Sequence, residues 1–121
     1  MRKADIRIKR VYADAAPDDG ARILVDRLWP RGVAKDKAEL TLWLKEAAPS
    51  SALRSWFGHD PKRWEEFRRR YRAELDGNPE PIAQLAEFAR HGAVTLLYGA
   101  KDEAHNQAVV LAEYLRARVT R

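Results

Sequence analysis

The sequence of 121 residues contains no cysteine. Disulfide bonds, thiol nucleophiles and thiolate metal sites are therefore excluded. It also lacks an apolar run long enough to span a bilayer or to form the core of a signal peptide. From these absences we expect a cytoplasmic protein that makes no contact with a membrane.

Positive charge is not concentrated in a tail or a block. Lys and Arg number 23 against 18 Asp and Glu, which gives a formal net charge of +5 that is spread over both halves of the chain. This distribution argues against a simple basic arm for nucleic acid, although the excess charge keeps nucleic acid among the candidate partners. The hydrophobic content of 45% predicts one globular domain over residues 1–121.

Several catalytic and binding motifs are missing as well. The chain has neither common type of glycine-rich phosphate loop, and no serine lies in a Gly-x-Ser-x-Gly context. Asp102 and His105 are close in sequence, but no third ligand has matching spacing. The sequence therefore predicts no metal site and no cofactor, and it leaves open whether the protein is an enzyme.

Apolar runs predict the strands of one small sheet. Ile6–Val11 alternates apolar and charged residues as a half-exposed strand does, whereas Ile23–Val25 and Val94–Tyr98 are apolar on both faces and predict central strands. Leu42–Lys45 fits a strand and a helix almost equally well. Because helical segments lie between these runs, we expect an α/β fold with a small mixed or mostly parallel sheet of about four strands and helices packed on its faces.

Residues typical of helix starts and ends occur along the rest of the chain. Asp60 followed by Pro61 is a strong helix start, and Gly77 fits the end of that helix. Asp102 is predicted to cap the last helix. Helices are predicted over residues 35–40, 51–57, 61–75, 79–91 and 103–118.

The loop after the strand at Val25 carries an acid and two arginines. Arg27 and Arg31 are predicted to clamp an anionic group, with Asp26 as an acid/base or as a group that orients an arginine. The alternative is a structural ion pair beneath Trp29. Charged residues at the end of a buried strand are costly unless they are paired or used.

The loop after the strand at Tyr98 carries the second set of candidates. Lys101 would attract an anion at a helix N-terminus, Tyr98 offers a hydroxyl donor, and His105 is a candidate base. His59, between two predicted helices, could reach the same pocket. Each of the two histidines also fits a surface position without function. The candidate catalytic residues are Asp26 and His105, and the candidate ligand-binding residues are Arg27, Arg31, Tyr98, Lys101, Asn106 and His59.

The helix over residues 61–75 supports a different function. One side is an apolar stripe at helical spacing that predicts core packing: Trp64, Phe67, Tyr71 and Leu75. The other side is rich in arginine and is the best candidate surface for nucleic acid. Its alternative is a solvated face, because Glu65 and Glu66 stand four residues before Arg69 and Arg70, the favourable order for helical ion pairs.

Three segments resemble the bacterial YeaO-like family, a domain of unknown function. They are residues 26–32 (DRLWPRG), 53–61 (LRSWFGHDP) and 97–108 (LYGAKDEAHNQA), and the stripe of the helix over residues 61–75 agrees as well. The resemblance covers nearly the whole chain. It implies a compact α/β domain and assigns no activity, because the family has no established one.

Longer relatives of this broad group indicate which chemistry cannot be carried over to this chain. They resemble rhodanese-like proteins in the loop at residues 97–108, with one cysteine where this chain has Tyr98, a second at Asn106, and a His-Arg pair at Gln107 and Ala108. This chain has neither sulfur, so cysteine-based sulfur or phosphoryl transfer is not carried over. The shape of the loop and its cationic character remain.

Three functional hypotheses follow from the sequence. The leading one is a pocket at the strand ends that accepts a phosphorylated or carboxylate metabolite. The second is a nucleic-acid-associated protein that uses the arginine-rich helix 61–75. The third is a partner-binding module without catalysis.

Overall fold

The computed structural model of the protein describes residues 4–119. The strands are Ile6–Arg10 (β1), Ala21–Leu24 (β2), Leu42–Trp43 (β3) and Val94–Tyr98 (β4). The α-helices are Lys35–Ala38 (α1), Ser51–Phe57 (α2), Trp64–Asp76 (α3), Pro79–His91 (α4) and Gln107–Arg116 (α5). Three 3₁₀ turns lie at Pro17–Asp19, Lys45–Ala47 and Pro61–Arg63.

The four described strands form one sheet in the order β1-β4-β2-β3, and all of its pairings are parallel. The predicted α/β fold with a mostly parallel sheet of about four strands is confirmed. β4 is fully buried and pairs with β1 on one side and β2 on the other. The carboxyl ends of all four strands therefore open on one edge, the usual ligand-binding edge of open α/β sheets.

The larger core lies between one face of the sheet and the helices. Ile23 and Leu96 point to this face, where they belong to the same apolar cluster as Leu111 of α5. The α3 stripe from Trp64 to Leu75 is buried there, which confirms its predicted core role. The side chains of α5 pack directly on β1 and β4.

The opposite face of the sheet has a smaller cover. Leu24 and Leu97 point to it and pack against Trp29 and Trp43, so residues 29–43 serve as the second layer. The rings of Trp29 and Trp43 meet edge to face with centroids 5.3 Å apart. Most helical packing is therefore on one side of the sheet, and the segment that contains α1 covers the other.

A buried ion-pair cluster supports the start of β2 on this smaller face. The Asp19 carboxylate lies 2.6 Å from a guanidinium nitrogen of Arg22 and 2.8 Å from Nζ of Lys9. Hydrogen bonds from Lys9, the Ala16 amide and Arg22 outweigh the effect of burial and lower the pKa of Asp19 to about 2. Arg22 also donates to the Ala38 carbonyl at the end of α1, so the cluster ties the covering segment to the sheet.

The last helix begins later than the sequence predicted. Asn106 is its N-cap and accepts a hydrogen bond from the Val109 amide, so the expected start near Glu103 is wrong. Asp102 instead accepts from the Ala104 and His105 amides, which closes a separate turn before the helix. Both residues are good cap formers, and the sequence pattern did not distinguish them.

The ambiguous segment at residues 42–45 combines both predicted conformations. Leu42 and Trp43 pair with β2 as a two-residue strand, and the chain then enters the 3₁₀ turn Lys45–Ala47.

Within residues 4–119, every helix is too short or too polar to traverse a lipid bilayer.

Candidate functional site

A cavity of about 420 Å³ lies at the carboxyl edge of the sheet. Loops after β2 and β4 form one side, and α2 and the start of α5 form the other. Its volume lies in the range usual for small-molecule sites. Its polar and charged lining includes Asp26, Arg27, Arg31, Arg54, Ser55, His59, Asn106 and Gln107.

Asp26 lies where β2 runs out into the cavity. Its Oδ2 accepts a hydrogen bond from the Gly99 amide at 2.9 Å, and its Oδ1 accepts from the side-chain amide of Gln107. The Trp43 indole donates to the Asp26 carbonyl at 2.8 Å and fixes the backbone. Burial raises the pKa of Asp26, although the Gly99 amide, Gln107 and the positive charge of Arg54 partly oppose that shift.

Gly99 permits this close approach between the two loops. A Cβ atom at position 99 would lie 2.9 Å from Asp26 Oδ2, which is closer than real Cβ contacts come. The absence of a side chain therefore brings the end of β4 within hydrogen-bonding distance of the carboxylate that follows β2. Asp26 thus joins β2, β4 and α5 at the floor of the cavity.

Two of the three guanidinium nitrogens of Arg27 form hydrogen bonds with the wall of the cavity. Its Nε donates to the Pro49 carbonyl at 3.1 Å and its Nη2 donates to the Ala48 carbonyl at 3.2 Å. These bonds attach the loop after β2 to the segment that leads into α2. Among residues 4–119, no partner is bonded to Nη1, which remains the part of Arg27 able to meet a ligand.

Arg31 and Arg54 line the cavity from opposite elements. Arg31 follows Pro30 in the loop after β2, and Arg54 belongs to α2. Both side chains are exposed, and neither guanidinium forms a hydrogen bond or an ion pair with the described part of the chain. An exposed guanidinium that has its five donors available is well suited to bind a phosphate or a carboxylate.

His59 is held at the cavity by a reversal of the chain after α2. Gly58 and His59 have φ values of 53° and 57°, so two successive left-handed residues turn the backbone there. The His59 ring lies 6.1 Å from the ring of Phe57, which is buried beneath it. This geometry places His59 in the cavity lining, and its role in ligand binding stays a prediction.

Three of the predicted site residues lie outside the lining of this cavity. Tyr98 is buried on the helical face, and burial raises its pKa. Lys101 is exposed on the long loop before α5. The Nδ1 atom of the His105 ring donates a hydrogen bond to the Asp102 carboxylate at 2.9 Å, and the ring contacts Trp64 edge to face. The structure therefore brings together Asp26, Arg27, Arg31, His59 and Asn106, but not these three.

Several residues of the cavity were absent from the sequence-based candidates. Arg54 and Gln107 reach it from helices, and Tyr12 and Leu28 reach it from loops. Gln107 follows a helix cap inside the second motif, which is a weak signal that it faces the strand ends. The position of Arg54 depends on how α2 packs and has no signal in the sequence.

Residues 4–119 contain no group of three or more His, Asp or Glu side chains suited to a metal.

The arginine face of α3 is largely neutralised by acidic partners. Arg68 and Arg72 both bond to one Glu113 carboxylate of α5, at 2.7 and 3.0 Å. Arg69 and Arg70 both bond to Glu66, and they lower the pKa of that carboxyl to about 2. The ion pair predicted between Glu65 and Arg69 is wrong, because Glu65 instead lies 3.7 Å from Arg68.

Comparisons with known proteins find relatives that match nearly the whole chain. A family model described as "Inactive DUF488-N3 subclade" matches residues 5–121. An uncharacterized protein of Mycobacterium tuberculosis is 41% identical over 118 residues, which is 98% of this chain and 99% of the relative. The uncharacterized protein YeaO of Escherichia coli is 45% identical over 113 residues, which is 93% of this chain and 98% of YeaO. No solved structure matches the chain at a significant level. The chain therefore belongs to the YeaO-like family, within the inactive DUF488-N3 subclade.

Proposed function

We propose that the protein binds a small anionic ligand, a phosphorylated or carboxylate metabolite, in the cavity at the carboxyl edge of the sheet. One observation carries the proposal: Arg31 and Arg54 line one cavity, and neither guanidinium forms a hydrogen bond or an ion pair with residues 4–119. Two arginines that line the same concave site repel each other, and an anion bound there reduces that repulsion while it accepts their hydrogen bonds.

The start of α5 adds to the positive potential of the cavity. Asn106 and Gln107, the cap and first residue of that helix, line it. The positive end of a ten-residue helix dipole therefore faces the same space as the two arginines. Asp26 is the one acidic side chain in the lining, and it is already bonded to Gly99 and Gln107.

We assign the cavity a role in binding and none in catalysis. Both carboxylate oxygens of Asp26 accept bonds that hold the floor together, so we give Asp26 a structural and positioning role. His105, the other candidate base, bonds to Asp102 outside the cavity. The family description as an inactive subclade supports the same assignment.

Isothermal titration calorimetry with inorganic phosphate, glycerol phosphate and succinate tests the proposal. Replacing Arg31 and Arg54 together by Gln is expected to weaken the best of these ligands at least about tenfold, because a hydrogen bond to a charged group contributes about 1.5–3 kcal/mol. The matched control replaces Lys37 and Arg90, two exposed cations of α1 and α4, by Gln. It removes the same charge and is expected to change affinity less than about twofold.

Two results would contradict the proposal. One is a parent protein that binds none of the anions at millimolar concentration. The other is an equal loss of affinity in the control variant, which would show that the net charge of the protein, and not the cavity, attracts the anion. No observation among the described residues favours the nucleic-acid or partner-binding alternatives over this one.

A further inference from the structure

Exposed apolar surface coincides with the candidate anion site. Among residues 4–119, the large hydrophobic side chains that remain exposed are Tyr12, at 46%, and Leu28, at 62%. Both line the cavity that holds Arg31 and Arg54. Single exposed hydrophobic residues are normal on a protein surface, but these two come from different loops and meet at one cavity.

The Tyr12 ring is held in place without a ligand. Its hydroxyl donates to the Arg31 carbonyl at 2.8 Å, and the Arg10 guanidinium lies over the ring at 4.9 Å from its centroid. Arg10 is itself fixed, because its Nε donates to the Ala100 carbonyl at 2.9 Å. A rigid aromatic side chain loses little conformational entropy when a ligand packs on it, which is the condition for a binding platform.

Leu28 is exposed although its neighbours are anchored. Arg27 bonds to the segment before α2, and the Trp29 indole donates to the Val33 carbonyl at 2.8 Å. The backbone on both sides of Leu28 is thereby fixed, and its side chain stays at the cavity instead of joining the core. An apolar side chain held in this way gains from any ligand surface that covers it.

We infer that the ligand is a phosphate or carboxylate that carries a flat apolar group, such as an aryl ring or a nucleobase. The anionic end would meet Arg31 and Arg54, and the flat group would pack on Tyr12 and Leu28. This inference rests on the proposed function and narrows it to one chemical class. Small-molecule sites commonly combine an apolar wall with a few charged groups in this way.

The test compares two phosphate monoesters of equal charge by calorimetry. Phenyl phosphate presents a flat ring, and glycerol phosphate presents a polar chain of similar length. The parent is expected to bind phenyl phosphate about tenfold more tightly, a factor equivalent to about 1.4 kcal/mol. A third ligand, adenosine monophosphate, distinguishes the two kinds of flat group. If it binds more tightly than phenyl phosphate, the flat group is a nucleobase; if it binds more weakly, the flat group is a smaller aryl ring.

Two variants locate the preference on the protein. Replacing Tyr12 and Leu28 together by Ser is expected to abolish the preference for phenyl phosphate, measured as the ratio of the phenyl phosphate and glycerol phosphate affinities of the same variant. Leu28→Ser alone keeps the Tyr12 hydroxyl bond and is expected to reduce the preference about threefold, half of the tenfold factor on a logarithmic scale. Because Leu28 is exposed, the thermal melt of Leu28→Ser is expected to match the parent, whereas the double variant also loses the hydrogen bond from Tyr12 to the Arg31 carbonyl and is expected to melt at a lower temperature.

The outcomes separate the inference from the proposed function. Equal binding of the two monoesters by the parent overturns the inference and leaves anion binding standing. Binding of neither monoester overturns the inference, and it overturns the proposed function as well if inorganic phosphate and succinate also fail to bind. A preference for phenyl phosphate that survives in the double Ser variant overturns the placement of the flat group on Tyr12 and Leu28.

Discussion

Replacing Gly99 by Ala is expected to break the hydrogen bond that joins the loops after β2 and β4 at the floor of the cavity. The new Cβ would lie 2.9 Å from Asp26 Oδ2 and 3.7 Å from Cβ of Pro30. The carboxylate must move by several tenths of an ångström, and its hydrogen bond with the Gly99 amide, 2.9 Å long, is then lost or distorted. The second oxygen resists the movement, because it accepts from Gln107.

The expected cost follows from these contacts. Loss of a hydrogen bond to a charged group costs about 1.5–3 kcal/mol, and the reduced entropy of the unfolded chain returns about 0.4–1 kcal/mol. The free energy of unfolding should therefore fall by about 1–2 kcal/mol, and Tm by roughly 4–8 °C for a protein of this size. Urea unfolding followed by tryptophan fluorescence measures the change, and an unaltered m value would show that it lies in stability alone.

A double-mutant cycle decides whether the Asp26 carboxylate is the cause. In an Asp26→Ala background the conflict is absent, so Gly99→Ala should become nearly neutral and the coupling energy should be about 1–2 kcal/mol. Gly77→Ala is the matched control, since a Cβ there meets nothing closer than 3.7 Å and φ is −89°. The reasoning is refuted if Gly99→Ala costs the same in both backgrounds, or if it costs no more than the control.

Three further predictions address other parts of the fold. Gly20→Ala should lower the free energy of unfolding by about 3 kcal/mol or more, because φ at Gly20 is +68° and the new Cβ would lie 2.2 Å from the Ala93 carbonyl oxygen. Urea melts followed by circular dichroism measure this loss of stability. Tyr71→Phe should cost about 1–2 kcal/mol in the same melts, because it leaves the buried Ala47 carbonyl without its hydroxyl donor. The raised pKa of Asp26 means that the folded state disfavours the ionised form, so this group's contribution to stability falls as pH rises above its ordinary value of 3.8. The stability of Asp26→Asn relative to the parent should therefore increase with pH and level off above the folded pKa; a difference that is constant between pH 3 and 8 would contradict it.

The strands and most helices were predictable because their signals are local. Val94–Tyr98 is a continuous apolar run, and Asp60 with Pro61 marks a helix start that the structure confirms: the Asp60 carboxylate accepts from the Lys62 amide. The start of the last helix was not predictable, because Asp102 and Asn106 both cap a turn. The sequence shows two suitable cap residues and does not show which turn continues.

The candidate site was predictable only on its strand side. Asp26 and Arg31 follow a buried strand directly, so their place at the carboxyl edge follows from the topology. Arg54 reaches the cavity through the packing of α2, which depends on contacts distant in sequence. Lys101 was expected beside a helix N-terminus, but it lies five positions before the helix cap Asn106 and outside the cavity lining.

The order β1-β4-β2-β3 has a consequence for how the chain acquires its structure during synthesis. β1 and β2 are the first strands to leave the ribosome, yet neither pairs with the other, and β4 must enter between them. Before residues 94–98 emerge, the sheet can contain only the two-residue pairing of β2 with β3. The edges of β1 and β2 that face β4 therefore stay unpaired until residues 94–98 have been synthesised, a period in which exposed strand edges favour aggregation. Completion of the sheet is consequently a late event governed by contacts far apart in sequence, which slows folding relative to a helical protein of equal length.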